Sequence, residues 1–192
     1  MPRSIVRSRA AHQNGRRALP TTVQPPVSVA AVRDAAVADA AAMAAVQRDV
    51  WRTAYAEFLP PEVLEALTVS TATAAWERAV TAAGDAHLVV STENDEVTGF
   101  AAGAGAEVAT LLVAPRWTRR GHGGRLLGTL AERLRADGAE RAQVWVAEGD
   151  VAARGFFPRH GFRADGAVRT SHHGARVLRE LRHVGSLEVG WR

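Results

Sequence analysis

The sequence predicts a mixed α/β fold: one domain with a mostly antiparallel central sheet, one parallel βαβ crossover, and helices on its flanks. Three observations carry this. The chain opens helix-rich after a short strand, then changes to strand periodicity at His87. From Val108 to Ala147 it runs apolar strand, glycine-rich turn, helix, apolar strand, which is a right-handed crossover. Two alternating segments near the end form a closing antiparallel pair.

In order, Val27 to Arg33 alternates as a first strand, and Asp34 has the residue type of an N-cap. Ala35 to Ala54 is rich in alanine, the strongest helix former. Pro60-Pro61-Glu62 opens a short helix to Leu67, with proline in the first turn, where its missing N–H costs nothing. Ser70 to Ala83 is a third helix closed by Gly84. His87 to Ser91 and Val97 to Ala102 form a hairpin around Glu93-Asn94-Asp95-Glu96. Val108 to Val113 is a continuous apolar run ended by Pro115, a strand buried on both faces. Gly123 to Ala136 is the crossover helix, and Ala142 to Ala147 the strand after it. Val151 to Arg159 is helical despite Gly155 and Pro158; Phe162 to Thr170 and Arg176 to His183 pair at the end.

Composition bounds the function. The 192 residues suit a single domain, and the absence of cysteine excludes disulfides, thiolate metal sites and a cysteine nucleophile. No apolar run approaches the ~18–20 residues of a membrane span. All 24 basic residues are arginine, and five (Arg3, Arg7, Arg9, Arg16 and Arg17) fall in residues 1–26, which hold no Asp or Glu. Removing those five leaves 19 arginines against 20 acidic residues, a charge of −1, so the net +4 belongs to the leader and does not mark a nucleic-acid partner. Residues 1–26 read as a disordered Arg-rich leader, with an organelle-targeting segment as the sharper alternative; residues 27–192 form the domain. The seven histidines lack ligand spacing near a third ligand, so no metal site is expected.

Ligands of such crossovers bind at the carboxyl ends of the parallel strands. There the chain reads Val113-Ala114-Pro115-Arg116-Trp117-Thr118-Arg119-Arg120-Gly121-His122-Gly123-Gly124-Arg125-Leu126-Leu127. Glycines at a helix start let backbone amides converge on an anion, the helix dipole assists, and Arg116, Arg119, Arg120 and Arg125 add charge. A pyrophosphate fits. The turn lacks the Gly-Lys-Ser/Thr of a triphosphate loop, and Leu126 breaks the dinucleotide pattern. Glycine here also has a purely steric reading.

About thirty residues on stands Asp150-Val151-Ala152-Ala153-Arg154-Gly155-Phe156-Phe157-Pro158-Arg159-His160-Gly161-Phe162. Together the two segments resemble the GNAT superfamily of N-acetyltransferases: the first its phosphate-binding stretch V-x-P-x-x-R-G-R-G-x-G, the second its N-x-x-A-x-x-F-Y-x-x-x-G-F. The resemblance spans roughly Val27 to Val184 and extends to Val50-Trp51-Arg52-Thr53-Ala54-Tyr55 and Phe58-Leu59-Pro60, which are similar to the first helices of small bacterial members.

That resemblance implies acetyl-CoA as co-substrate, held by Leu111, Leu112, Val113, Arg119, Arg120, Gly121, His122, Gly123, Gly124, Asp150 and Phe157, with a backbone amide near Leu111–Val113 at the thioester carbonyl. It implies direct attack by a primary amine, on a small molecule or a peptide, with Trp51 and Tyr55 lining the acceptor site. Phe58 and Trp76 read as core. Glu107 stands thirteen residues before Arg120, the offset of the general base in histone-acetylating members; a charge at the strand edge facing solvent is the plainer reading. Three departures matter. Thr118 replaces an Arg or Gln, Asp150 an Asn, and Phe157 the tyrosine that protonates the leaving thiolate in many members. Tyr55, His160, His122 and water are then the candidate acids. A non-catalytic acyl-CoA-binding or sensing module is the alternative function. The expected setting is cytoplasmic, without membrane or nucleic-acid partners, and compatible with a homodimer.

Overall fold

The computed structural model describes residues 29–56, 59–173 and 176–187. The leader and Phe58 lie outside them. Seven strands form one sheet in the order β1-β2-β3-β4-β5-β7-β6, the mixed architecture the sequence predicts. β1 is Ala30–Asp34, β2 Ala86–Glu93, β3 Glu96–Ala104, β4 Glu107–Val113, β5 Arg141–Ala147, β6 Arg163–His173 and β7 Arg176–Ser186. Every pairing is antiparallel except β4 with β5. The helices are α1 (Ala40–Ala54), α2 (Pro61–Ala66), α3 (Val69–Thr81), α4 (His122–Ala136) and α5 (Val151–Arg159).

The first helix starts later than Asp34. Asp34 ends β1; Asp39 organises the helix start instead, accepting the Ala36 amide at 2.8 Å and a two-pronged contact from Arg33 at 2.6 and 2.9 Å. The Arg33 guanidinium holds this carboxyl below its ordinary range. The pattern alone did not separate two aspartates five residues apart. Thr68 caps α3 by accepting from the Thr71 amide, and Pro61 occupies the first turn of α2.

Two cores form, one on each sheet face. Leu126, Leu127, Leu130 and Leu134 of α4 are fully buried against Val89, Ala101, Val108, Val144 and Val146, with Phe157 and Phe162 joining from α5 and beyond. Each such leucine contributes on the order of 1.5–3 kcal/mol by leaving water. On the other face Met43, Val46 and Val50 of α1 cover Val90, Phe100 and Leu112. Trp76 of α3 packs edge-on against Phe100 with centroids 4.8 Å apart and donates to Gln47 at 2.8 Å, a core position as expected.

Candidate active site

β4 and β5 share a single bridge, Glu107 with Gln143. Beyond it they have no further pairing, so the sheet opens as a wedge toward Val113 and Ala147. A bulge accompanies this. Ala102 faces Thr110 while Gly103 faces Val108, leaving Ala109 as an extra residue on β4. A β-carbon on Gly103 would lie 2.5 Å from the Glu107 carbonyl oxygen, so the strands close there only because 103 is glycine.

Glu107 stands at the closed end of the wedge, half-buried. Gln143 Nε2 donates to its Oε2 at 3.1 Å, and Arg182 reaches Gln143 Oε1 at 3.4 Å. It is therefore tethered inside the sheet, not a loose charge at the strand edge. Beside it, Arg169 and Arg182 lie over the Trp145 ring at 4.7 and 5.9 Å, and Arg169 is held by Glu180 at 2.6 and 3.0 Å. Sequence reading passed over Gln143 and Trp145. The signal was present: they alternate with the buried Ala142, Val144 and Val146, which puts them together on the opposite face.

The open end of the wedge meets the start of α4. Gly121 adopts φ +84° and Arg119 φ +61°, the latter unusual for a side chain with a β-carbon and costing on the order of 1 kcal/mol. The first amides of a helix have no partner inside it, and no side chain caps α4. Arg119, Arg120 and Arg125 are exposed and form no ion pair among the described residues. Arg120 stacks on Trp117 at 4.8 Å. Arg116 is paired with Glu96 at the surface.

Several expected residues take other roles. The His122 ring points away from the turn: it is 1% exposed, with Nδ1 3.1 Å from Thr98 Oγ1 and Nε2 2.9 Å from Glu93 Oε2. Gly123 and Gly124 are closely packed: α5 lies against them, so a β-carbon would come within 3.1 Å of Phe156 Cε2 and of His160 Nε2 respectively. Of the turn's glycines, the positive φ of Gly121 is the one that backbone geometry demands. Phe157, expected at an open cleft, is 5% exposed and wedged edge-on between Phe156 and Phe162. Pairing with Phe162 draws it inward, and Phe156 is the ring beside the turn. His160 stacks on Phe156 at 4.2 Å.

The side chains of Leu111, Leu112 and Val113 pack into the two cores, so their backbone is what the wedge offers. Asp150 caps α5, accepting the Ala153 amide at 2.8 Å, a task that aspartate and asparagine perform equally. Tyr55 follows the last residue of α1, with the Trp51 ring 6.3 Å away. Burial, then the carboxylates of Asp150 and Glu180, push its hydroxyl up to about 12. Tyr55, Asp150 and Glu180 therefore share one electrostatic neighbourhood near the end of β5.

Residues 51–178 match the acetyltransferase (GNAT) domain family. None of the curated proteins matches the sequence. Among solved structures, the chain is similar to a GCN5-related N-acetyltransferase of Rhodopseudomonas palustris, at 24% identity over 81% of this chain and 94% of that one, TM-score 0.67. It is also similar to the PaiA N-acetyltransferase of Thermoplasma acidophilum, solved in complex with coenzyme A, at 16% identity over 82% and 99%, TM-score 0.67. A third is YncA of Salmonella typhimurium, solved with its cofactor acetyl-CoA, at 22% identity over 83% and 94%, TM-score 0.65. At these identities the structures speak for the fold, and the domain match carries the family. The chain belongs to the GNAT acetyltransferase family.

Proposed function

We propose that this protein is an N-acetyltransferase that moves the acetyl group of acetyl-CoA to a primary amine, on a small molecule or a peptide, by direct attack. The observation that carries the reading is the wedge: two parallel strands joined by one bridge, with a glutamate at the closed end and a helix N-terminus at the open end. Coenzyme A and acetyl-CoA in the two similar structures above support the choice of acyl donor.

In this reading the pyrophosphate lies on the amides at the start of α4, with Arg119, Arg120 and Arg125 around it. The pantetheine arm follows the unpaired edge of β4 from Val113 inward, and the thioester rests near Glu107. The amine nitrogen attacks the thioester carbonyl carbon, the C–S bond breaks, and the thiolate leaves. Glu107 accepts the proton that the attacking amine sheds, directly or through water. A β4 amide stabilises the oxygen that becomes negative. Tyr55, held neutral by burial and then by the carboxylates of Asp150 and Glu180, lines the acceptor side with Trp51, and solvent protonates the thiolate.

Release of free thiol from acetyl-CoA, followed with a panel of small amines and peptide N-termini, tests this. The expected result is release that depends on an amine. Tight acetyl-CoA binding with no amine-dependent release across the panel would favour the binding module instead.

A further inference from the structure

His122 is a polar residue buried almost completely. It opens α4, its backbone belongs to the turn, and its ring is buried in a chain of polar groups. Glu93 accepts from Nε2; Nδ1 meets Thr98 Oγ1; Thr98 in turn contacts Ser91 Oγ at 2.7 Å and the Ser91 carbonyl at 3.1 Å. Carboxylate, imidazole and hydroxyl in that order resemble a nucleophilic relay. Thr98 and Ser91 are both 0% exposed, however, so no substrate reaches either hydroxyl.

The geometry serves a different end. Residues 121, 123 and 124 are glycines, with no side chain to hold the turn in one orientation. His122 supplies the side-chain anchor within that stretch. Thr98 also accepts the Ala114 amide through its carbonyl at 2.9 Å. The loop between residues 114 and 122 is therefore clamped at both ends on one residue of β3, with Glu93 of β2 as the second anchor. Trp117, within the loop, packs edge-on against the same imidazole at 5.8 Å.

We propose that His122 is a positioning residue of the anion turn, aiming the amides at the start of α4 through its bonds to Glu93 and Thr98. This rests on acetyl-CoA binding at that turn. Loss of a buried bond to a carboxylate should loosen the turn and weaken every phosphate contact together.

The test is calorimetric titration of acetyl-CoA into the folded protein and its variants, with melting temperatures alongside. His122→Ala should weaken binding roughly tenfold, and Glu93→Ala should do likewise. His122→Gln, whose amide N–H can still donate to Glu93, should recover most of the loss. The double alanine variant should bind no worse than His122→Ala alone, because removing the imidazole already removes the bond to Glu93. A folded His122→Ala that binds as tightly as the natural protein, even with a lower melting temperature, overturns the inference by making His122 merely structural. Additive losses, or no recovery by Gln, overturn it as well. If His122→Ala does not fold, Glu93→Ala carries the test, since that side chain is 15% exposed and nearer the surface. If the natural protein itself does not bind acetyl-CoA, the functional reading fails and takes this inference with it; a loss confined to the variants separates the two.

Discussion

Phe156 fills the space that a β-carbon on Gly123 would need, its Cε2 lying 3.1 Å from that position. Gly123→Ala should therefore destabilise the protein by about 1 kcal/mol or more through overpacking between α4 and α5. Phe156→Leu in the same chain should recover part of the loss. Urea denaturation reads both. An unchanged midpoint for Gly123→Ala would mean that the two helices have slack.

Phe157 and Phe156 are adjacent in sequence and differ in setting. A hydroxyl added at 157 enters the core beside Phe162. Phe157→Tyr should lower stability by about 1–3 kcal/mol, the cost of burying a polar group without a partner, and should not raise kcat. A variant as stable as the natural protein and faster would restore 157 to the cleft.

That contrast marks the boundary of what the sequence discloses. The crossover from Val108 to Ala147 was legible because strand, glycine turn and helix each carry a local signature. Glu107 was singled out only through its thirteen-residue offset from Arg120 in a family resemblance, and its tie to Gln143 leaves no mark in the sequence. Side-chain direction was not legible. His122 and Phe157 point inward because of Glu93 and Phe162, and contacts between residues 29 and 5 positions apart respectively leave no local period. The bulge at Ala109 was hidden too, since the apolar run continues through it without a break. Gly123 and Gly124 matched a phosphate turn in the sequence, while the structure gives them a packing reason in α5.

Tyr55 is the single tyrosine of the chain, so its titration can be followed by tyrosinate absorbance without overlap from another. With its ionisation pushed up to about 12 by burial and then by Asp150 and Glu180, the neutral form is favoured in the folded state. Its contribution to stability is complete below the unfolded value near 10 and is lost as pH rises from there through about 12. The folded protein should show no tyrosinate transition near 10. A transition near 10 with the fold intact would contradict the buried, acid-flanked setting.

Glu107→Gln should preserve the fold, because the amide oxygen can still accept from Gln143. It should lower kcat at neutral pH by about 10²-fold or more if Glu107 takes the amine proton, with acetyl-CoA affinity within about twofold. Steady-state kinetics with any acceptor that supports turnover reads both quantities. A kcat within threefold of the natural protein would return Glu107 to a purely structural tie with Gln143.

Acetyl-CoA is expected to bind at the turn that opens α4, and its affinity for the natural protein and for Arg119→Glu/Arg120→Glu measures this directly. Both arginines are exposed, so the double change should leave the fold intact, with circular dichroism as the check. Saturable binding by the natural protein is expected, with a loss of roughly 100-fold or more in the variant, because two attractive charges beside the phosphates become repulsive ones. Equal affinity in the two proteins would move the phosphates away from the glycine turn.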